Sequence, residues 1–335
     1  MKKFLVLPAL LSLLVFSCTK TDQSSLPKNA TLEFEQAAPS NLLGGGPGRG
    51  CATNEVHARN LAENPGLSKQ MSDIEAFTKK AIADPSTYKL VNGVLEIPVH
   101  MNVLWRTSAE NISDAQLQSQ IDVLNKDFAG TNNDYNQIPA LFSPVAAGDV
   151  KIKFVWTTAN VTRKATTKTS WGTRDAMKST KTGGLNAVSP TTTLNMWVCT
   201  IGGGILGYAQ FPGGKSSTDG IVVDSKYFGT TGTATFPFNL GRTATHEVGH
   251  YFNLRHIWGD TNCGSDGVND TPTHNAANTG VPQYPHYSTC PGTPIEMTMN
   301  YMDYTDDRGM YMFSALQASR MQATFAVGGP RASLR

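Results

Sequence analysis

After residue 16 the sequence has no apolar run long enough to cross a bilayer, and no charge of one sign dominates: 28 Lys and Arg stand against 26 Asp and Glu, a net of +2. The first absence excludes a chain built on later membrane-spanning helices. The second removes the basic surplus that a nucleic-acid partner would need, so none is expected. Internal repeats are also missing, and charged residues make up only 16% of the chain. What remains is an ordinary globular composition, 335 residues with 39% hydrophobic, enough for one large domain or two medium ones with a real core. Composition alone leaves the function open.

The amino terminus narrows the compartment. Lys2 and Lys3 precede a mostly apolar stretch, Phe4 to Phe16, with the layout of a secretory signal. It ends Val15-Phe16-Ser17-Cys18, which resembles a bacterial lipoprotein signal, although Phe16 stands where a small residue is usual; ordinary cleavage nearby is the alternative. Export is expected, either to the cell envelope as an outer-membrane lipoprotein or into the medium after processing, with a lipid at Cys18 as the one membrane link. That leaves Cys51, Cys199, Cys263 and Cys290. An exported chain permits disulfides, and Cys263 and Cys290, flanking one loop-rich stretch, are the favoured pair.

Residues 1–18 read as the signal, 19–85 as a tether and propeptide, and 86–335 as the functional domain. Within the second segment a helix is expected over 68–83, with Ser72 as a cap, before Asp84-Pro85 breaks it. Beyond it, alternation across Val94–Trp105 predicts a strand. Ser113-Asp114-Ala115-Gln116 is a capping-box signature, followed by Leu117, Ile121, Leu124 and Phe128 on one helix face. Ile152–Trp156, Leu194–Ile201 and Ile221–Val223 read as further strands, Thr243–Phe252 and Phe313–Phe325 as helices, and 257–299 as loop. Strands mixed with helices, then a long irregular part, argue an α/β or α+β fold.

The run His246-Glu247-Val248-Gly249-His250-Tyr251-Phe252-Asn253-Leu254-Arg255-His256 carries the chemistry. Residues four apart share a helix face, so His246 and His250 can aim two imidazoles at one ion. Glu247, beside the first, is turned to reach a metal-held water as a general base. A catalytic zinc wants a third protein ligand and one open position. His256 supplies it only if the chain bends, and Asn253 is the non-glycine residue that best tolerates the positive φ of such a bend. His57, His100, His274 and His286 lack this spacing and read as core or surface residues.

With Asn300-Tyr301-Met302-Asp303-Tyr304 about fifty residues on, this run resembles the metzincin metallopeptidases, and among them the pappalysin family with its cytophagalysin-like and ulilysin-like members, over roughly residues 90–330. The resemblance implies a zinc endopeptidase acting on protein or peptide substrates, taken here as a monomer, with a cleft between an upper part holding a mixed twisted sheet and an irregular lower part ending in a helix. It implies that Met302 floors the three histidines and that Tyr304 stabilises an oxyanion. Asp307 matches an acid that favours Arg or Lys just after the scissile bond; a solvated loop acid paired with Arg308 is the alternative. The Gly202–Ala209 segment, with Gly207, matches a rim strand that takes substrate backbone. Asp270 and Thr271, in Asp266–Pro272, match a calcium loop, or form a plain turn. Arg49-Gly50-Cys51 resembles a cysteine switch; a Cys51–Cys199 disulfide or a free thiol is the alternative. Relatives often carry a second disulfide where this chain has Val281 and Gly309. The rival function is a catalytically retired surface binding protein on the same scaffold.

Overall fold

The computed structural model describes residue 1, residues 48–84 and residues 93–334. The leader, Cys18, the tether and the boundary at 85 lie outside the described residues. The chain divides into two units, Met1–Gln36 and Ala37–Arg335, and every element below belongs to the second.

A six-stranded sheet is built on β1 (Leu95–Trp105). One edge of β1 pairs in parallel with β2 (Ile152–Val155) and then β3 (Val161–Ala165); the other pairs in parallel with β4 (Leu194–Cys199). Next to β4 lies β6 (Ile221–Asp224), also parallel, and the edge is closed by the antiparallel β5 (Gly207–Ala209). β4 and β6 are buried throughout, as strands covered on both faces must be. Their side chains sort by the two-residue period. Met196, Val198, Ile221 and Val223 enter one apolar cluster; Trp197, Cys199 and Val222 enter a second on the opposite face.

The first cluster is roofed by α3 (Asp114–Ala129), through Leu117, Ile121, Leu124 and Phe128, and by α4 (Arg242–Tyr251). Ser113 caps α3 by accepting from the Gln116 amide at 3.2 Å. The reciprocal arm of the expected capping box does not form: the Gln116 side-chain amide donates instead to the Phe228 carbonyl at 2.9 Å and ties the loop after β6 to the helix. A complete capping box, Ser314 with Gln317, starts α5 (Ala315–Ala323).

Two helices precede the sheet, α1 (Thr53–Glu63) and α2 (Leu67–Ala83). α2 matches the expected helix, but Ser72 lies inside it, its hydroxyl donating back to the Ser68 carbonyl at 3.1 Å rather than capping. α2 lays Leu67, Met71 and Ile74 on Phe211, and Ala81 on Ala323 and Ala326. Glu75 closes this contact through Arg320, at 2.5 and 3.1 Å. No helix among the described residues is long and apolar enough to cross a membrane.

Candidate metal centre and substrate cleft

α4 carries His246, Glu247 and His250 on its buried face, and the whole helix is out of solvent. It ends in a Schellman motif. The Asn253 amide donates to the His250 carbonyl and the Leu254 amide to the Gly249 carbonyl, each at 2.9 Å, with Asn253 at φ 74°. The bend therefore falls on the residue expected to make it. It turns His256 back so that its Nε2 lies 3.0 Å from that of His250, which is 3.1 Å from that of His246.

The outer nitrogens show why the inner ones converge. His246 Nδ1 faces the Tyr301 carbonyl at 2.7 Å, and His250 Nδ1 the Leu254 carbonyl at 2.8 Å. His256 Nδ1 faces Asp260 Oδ1 at 2.5 Å. Carbonyls and carboxylates only accept, so each Nδ1 carries the proton and each Nε2 presents a lone pair to the others. Burial, and then the neighbouring imidazoles, push His246 well below the usual histidine range and His250 to about 3, so these rings stay neutral. Three neutral lone pairs packed together repel unless a cation sits among them, and an all-imidazole set suits zinc. Cys51 Sγ completes a group of four donor atoms lying within 4.8 Å of one another.

The loop below supplies the floor. Gly249 is required on α4 because a Cβ there would fall 2.4 Å from Met302 Sδ, which packs against the helix backbone. The Met302 carbonyl accepts from the Ile257 amide at 3.1 Å, fastening the segment of the third histidine. Trp258 stacks on His256 with ring centres 4.3 Å apart, and Tyr304 stands edge-on to both. The Tyr304 hydroxyl donates to the Cys51 carbonyl at 3.2 Å. Burial, and then Cys51 beside it, push this phenol well above its usual range, so it remains an O–H donor.

Glu247 is pushed up to about 7 by burial, against the hydrogen bonds from Thr53 and Cys51 and the charge of Arg49. Its Oε2 accepts from the Thr53 hydroxyl at 2.9 Å, and Cys51 Sγ lies 3.6 Å away. Gly207 backs it: a Cβ there would come within 3.0 Å of Glu247 Cγ. Gly207 also lies on the outer edge of β5, where the Gly50–Ala52 segment is joined by a parallel bridge. Leu206 donates to the Gly50 carbonyl at 2.7 Å, and Ala52 to the Gly207 carbonyl at 3.1 Å.

Asp307 is fully buried rather than solvated, and Arg308 lies over the Phe236 ring instead of pairing with it. One Asp307 oxygen meets Arg49 at 2.5 Å; the other accepts from the Leu240 and Arg242 amides at the start of α4, at 2.8 and 3.2 Å. The Arg49 guanidinium also donates to Thr243 Oγ1 at 3.0 Å and to the Thr305 carbonyl, and sits 5.0 Å over the Phe238 ring. Together these groups enclose the Arg49 guanidinium.

Cys263 and Cys290 form the expected disulfide, whereas Cys51 and Cys199 are both free thiols, so the Cys51–Cys199 alternative does not hold. Val281 and Gly309 face each other, with a Cβ at 309 placed 3.4 Å from Val281 Cγ2. Asp270 is engaged elsewhere. Its carboxylate accepts from the Ser314 hydroxyl at 2.6 Å and the Leu316 amide at 2.8 Å, reinforcing the start of α5. The Thr271 hydroxyl lies 3.0 Å from Asp266 Oδ2. Thr271, but not Asp270, borders a polar cavity of about 220 Å³ that Asp266 and Asn269 also line. Reasoning from sequence missed Arg49 as a pocket occupant, Thr53 on Glu247, and Asp260 and Trp258 on His256. Asp260 alone left a trace, four residues beyond the third histidine.

Residues 194–326 match the peptidase M43 family profile, described as pregnancy-associated plasma protein-A. Among curated relatives, the extracellular metalloprotease of Pyricularia oryzae is 32% identical over 268 residues, covering 77% of this chain and 84% of that protein. That of Arthroderma otae is 30% identical over 261 residues, covering 76% and 85%. Among solved structures, Tannerella forsythia mature mirolysin in complex with a cleaved peptide is 42% identical with a TM-score of 0.69, covering 72% of this chain and 95% of that one. The Tannerella forsythia promirolysin structure, of a mutant, is 38% identical with a TM-score of 0.75, covering 85% and 97%. With two histidines on a helix and the third returned by the bend that follows it, in a chain matched over most of its length, there is one reading: this chain belongs to the pappalysin family, peptidase M43, and is a zinc metalloprotease.

Proposed function

We propose that the chain is the latent precursor of an exported endopeptidase that cleaves before arginine or lysine. The convergence of three Nε2 lone pairs beside the Glu247 carboxylate carries this reading. His246, His250 and His256 would hold the zinc, which when bound polarises a carbonyl and acidifies water. Glu247, next to the first ligand on α4, is placed to take a proton from the attacking water and return it to the leaving nitrogen. Tyr304 offers its hydroxyl to the developing oxyanion, and Met302 holds the triad from below. The edge of β5 at Gly207 aligns the substrate backbone.

Latency rests on the residues before α1. Cys51 stands in the fourth donor position, and Arg49 fills the Asp307 pocket as a basic substrate side chain would. The pro form of the neighbour covers 85% of this chain against 72% for its mature form, which supports a removable amino-terminal segment. The 50–52 segment runs parallel to β5, the orientation of a blocking strand rather than an added antiparallel one. The polar cavity at Asp266 supports calcium there, with Thr271 in its lining and Asp270 holding the start of α5 instead. Burial pushes Asp266 up to about 6, a cost that a divalent cation would remove. Anchoring through Cys18 and a monomeric mature enzyme complete the reading. Glu247→Ala in the processed protein should abolish casein cleavage while zinc content stays near one per chain; surviving cleavage would defeat the assignment of the base.

A further inference from the structure

The amino-terminal segment covers more than the metal centre. Arg49 lies in the Asp307 pocket, Cys51 lies at the histidines, and Thr53 Oγ1 accepts from the Ala209 amide at 2.9 Å. The segment therefore runs along β5 away from the Asp307 pocket and brings α1 and α2 over Phe211. The Phe211 ring stands edge-on to His250 with centres 5.5 Å apart and to His57 at 5.0 Å. Leu67, Met71 and Ile74 of α2 close over it, leaving it 8% exposed. Beside it, Gly213 is bare backbone on which Ile74 Cδ1 rests, 2.8 Å from where a Cβ would be.

This seat is rigid on the side that stays. The Gln210 side chain is held by the Lys215 carbonyl at 2.9 Å and by Thr218 at 2.7 Å. The Gln210 carbonyl accepts from Arg331, whose guanidinium is paired with Asp219 at 2.5 Å. Removing α1 and α2 would leave an apolar surface, Phe211 over Gly213, continuous with the β5 edge and touching a zinc-ligand ring. It would face water unless substrate covers it, a loss of apolar burial that favours any side chain able to restore it.

We infer that Phe211 and Gly213 form a subsite of the mature enzyme that takes an aliphatic side chain, of the leucine, methionine or isoleucine kind, on the amino-terminal side of the scissile bond. The inference rests on the protease reading above: with the Asp307 pocket receiving the residue just after that bond, Phe211 lies on the opposite side of the metal. Gly207 backs the base and Phe211 is four residues further along. β5 ends at Ala209 and Phe211 follows two residues on, so at about 3.4 Å per strand residue along β5 the subsite falls at roughly the second to fourth side chain before the bond. The α2 side chains that cover Phe211 in the precursor, Leu67, Met71 and Ile74, are themselves aliphatic, with the His57 ring beside them.

The test uses the processed enzyme and quenched peptides with arginine after the scissile bond, carrying leucine or alanine in turn at the second, third and fourth positions before it. At one position leucine should raise kcat/KM about ten-fold, chiefly through KM, a difference of about 1.4 kcal/mol. In Phe211→Ala this leucine-to-alanine ratio should fall towards one, and in Phe211→Met most of it should return. A ratio near one at all three positions in the unaltered enzyme, or an unchanged ratio in Phe211→Ala, would overturn the subsite alone. So would equal turnover accompanied by retention of the cut residues 53–84 on the enzyme, which would give the seat to the released segment. Failure to cleave any peptide would overturn the protease reading and the subsite with it.

Discussion

Arg49 and Asp307, 258 positions apart, meet at 2.5 Å with both side chains out of solvent. A buried pair like this is costly to break from one side, by about 3–5 kcal/mol, because the remaining charge is stranded. On the proposed reading the carboxylate belongs to the cleft and the guanidinium to the segment that is removed, so the pair would serve both as a lock on the precursor and as a template for what the cleft binds afterwards.

Arg49→Ala should therefore shorten the lag before the precursor activates, without altering the processed enzyme's preference. Asp307→Asn in the processed enzyme should lower kcat/KM for peptides with arginine after the scissile bond by about 10–100-fold relative to an apolar residue there, the scale of one charge-assisted hydrogen bond. Lag times and a paired-peptide assay check both; a preference for arginine that survives Asp307→Asn would contradict the pocket assignment.

Gly249 and Met302 offer a sharper steric test. Alanine is the better helix former by about 1 kcal/mol, but its Cβ would fall 2.4 Å from Met302 Sδ, inside a core where overpacking costs about 1–3 kcal/mol. Packing should win, so Gly249→Ala should lower the melting temperature and weaken zinc retention. A second change, Met302→Ala, should recover part of the loss. Additive loss in the double variant would mean the two residues do not collide.

At Asn253 the conformation decides. With φ at 74°, glycine relieves strain of about 1–2 kcal/mol but gives up the side-chain contact to Thr78 Oγ1 at 3.3 Å. Asn253→Gly should keep zinc and activity, whereas Asn253→Val should lose zinc as His256 swings away. Zinc retained in the valine variant would mean that the bend does not position the third histidine.

Acid should loosen α2. Burial alone would raise the Glu75 carboxyl, but the hydrogen bond and charge of Arg320 more than offset it and hold it below the usual glutamate range. A depressed carboxylate contributes stability that is present above its unfolded value, about 4.3, and is lost as pH falls through the lower folded value. Hydrogen exchange in α2 should quicken over that window. Glu75→Gln should flatten the response and speed exchange at neutral pH; an unchanged profile would remove Glu75 from the docking of α2.

Much of this was legible in the sequence, for reasons that residue types make plain. His246 and His250 share a helix face by spacing alone, and Asn253 marks the bend because few residues accept that φ. β1, β4 and β6 declared themselves by apolar alternation or continuous apolar runs. α1 did not, because its sequence buries only Thr53 and Val56 and has no periodic apolar face. β3 is half-exposed with two basic residues, so it carries no strand pattern. The partners of Cys51 stayed open because proximity to residues some 200 positions away depends on how the sheet edge and α4 are assembled. Arg49 and Asp307 are invisible as a pair for the same reason.

On the proposed reading three histidines hold zinc, with Cys51 as the fourth donor until the amino-terminal segment is cut. X-ray absorption at the zinc edge measures this directly on the intact precursor and on the processed enzyme. The precursor should show three nitrogen neighbours at about 2.0–2.1 Å and one sulfur at about 2.3 Å, with the sulfur lost on processing or in Cys51→Ser and the nitrogens unchanged. A precursor shell without sulfur would rule out Cys51 as the fourth donor, and a processed shell with fewer than three histidine nitrogens would rule out the triad as the zinc site.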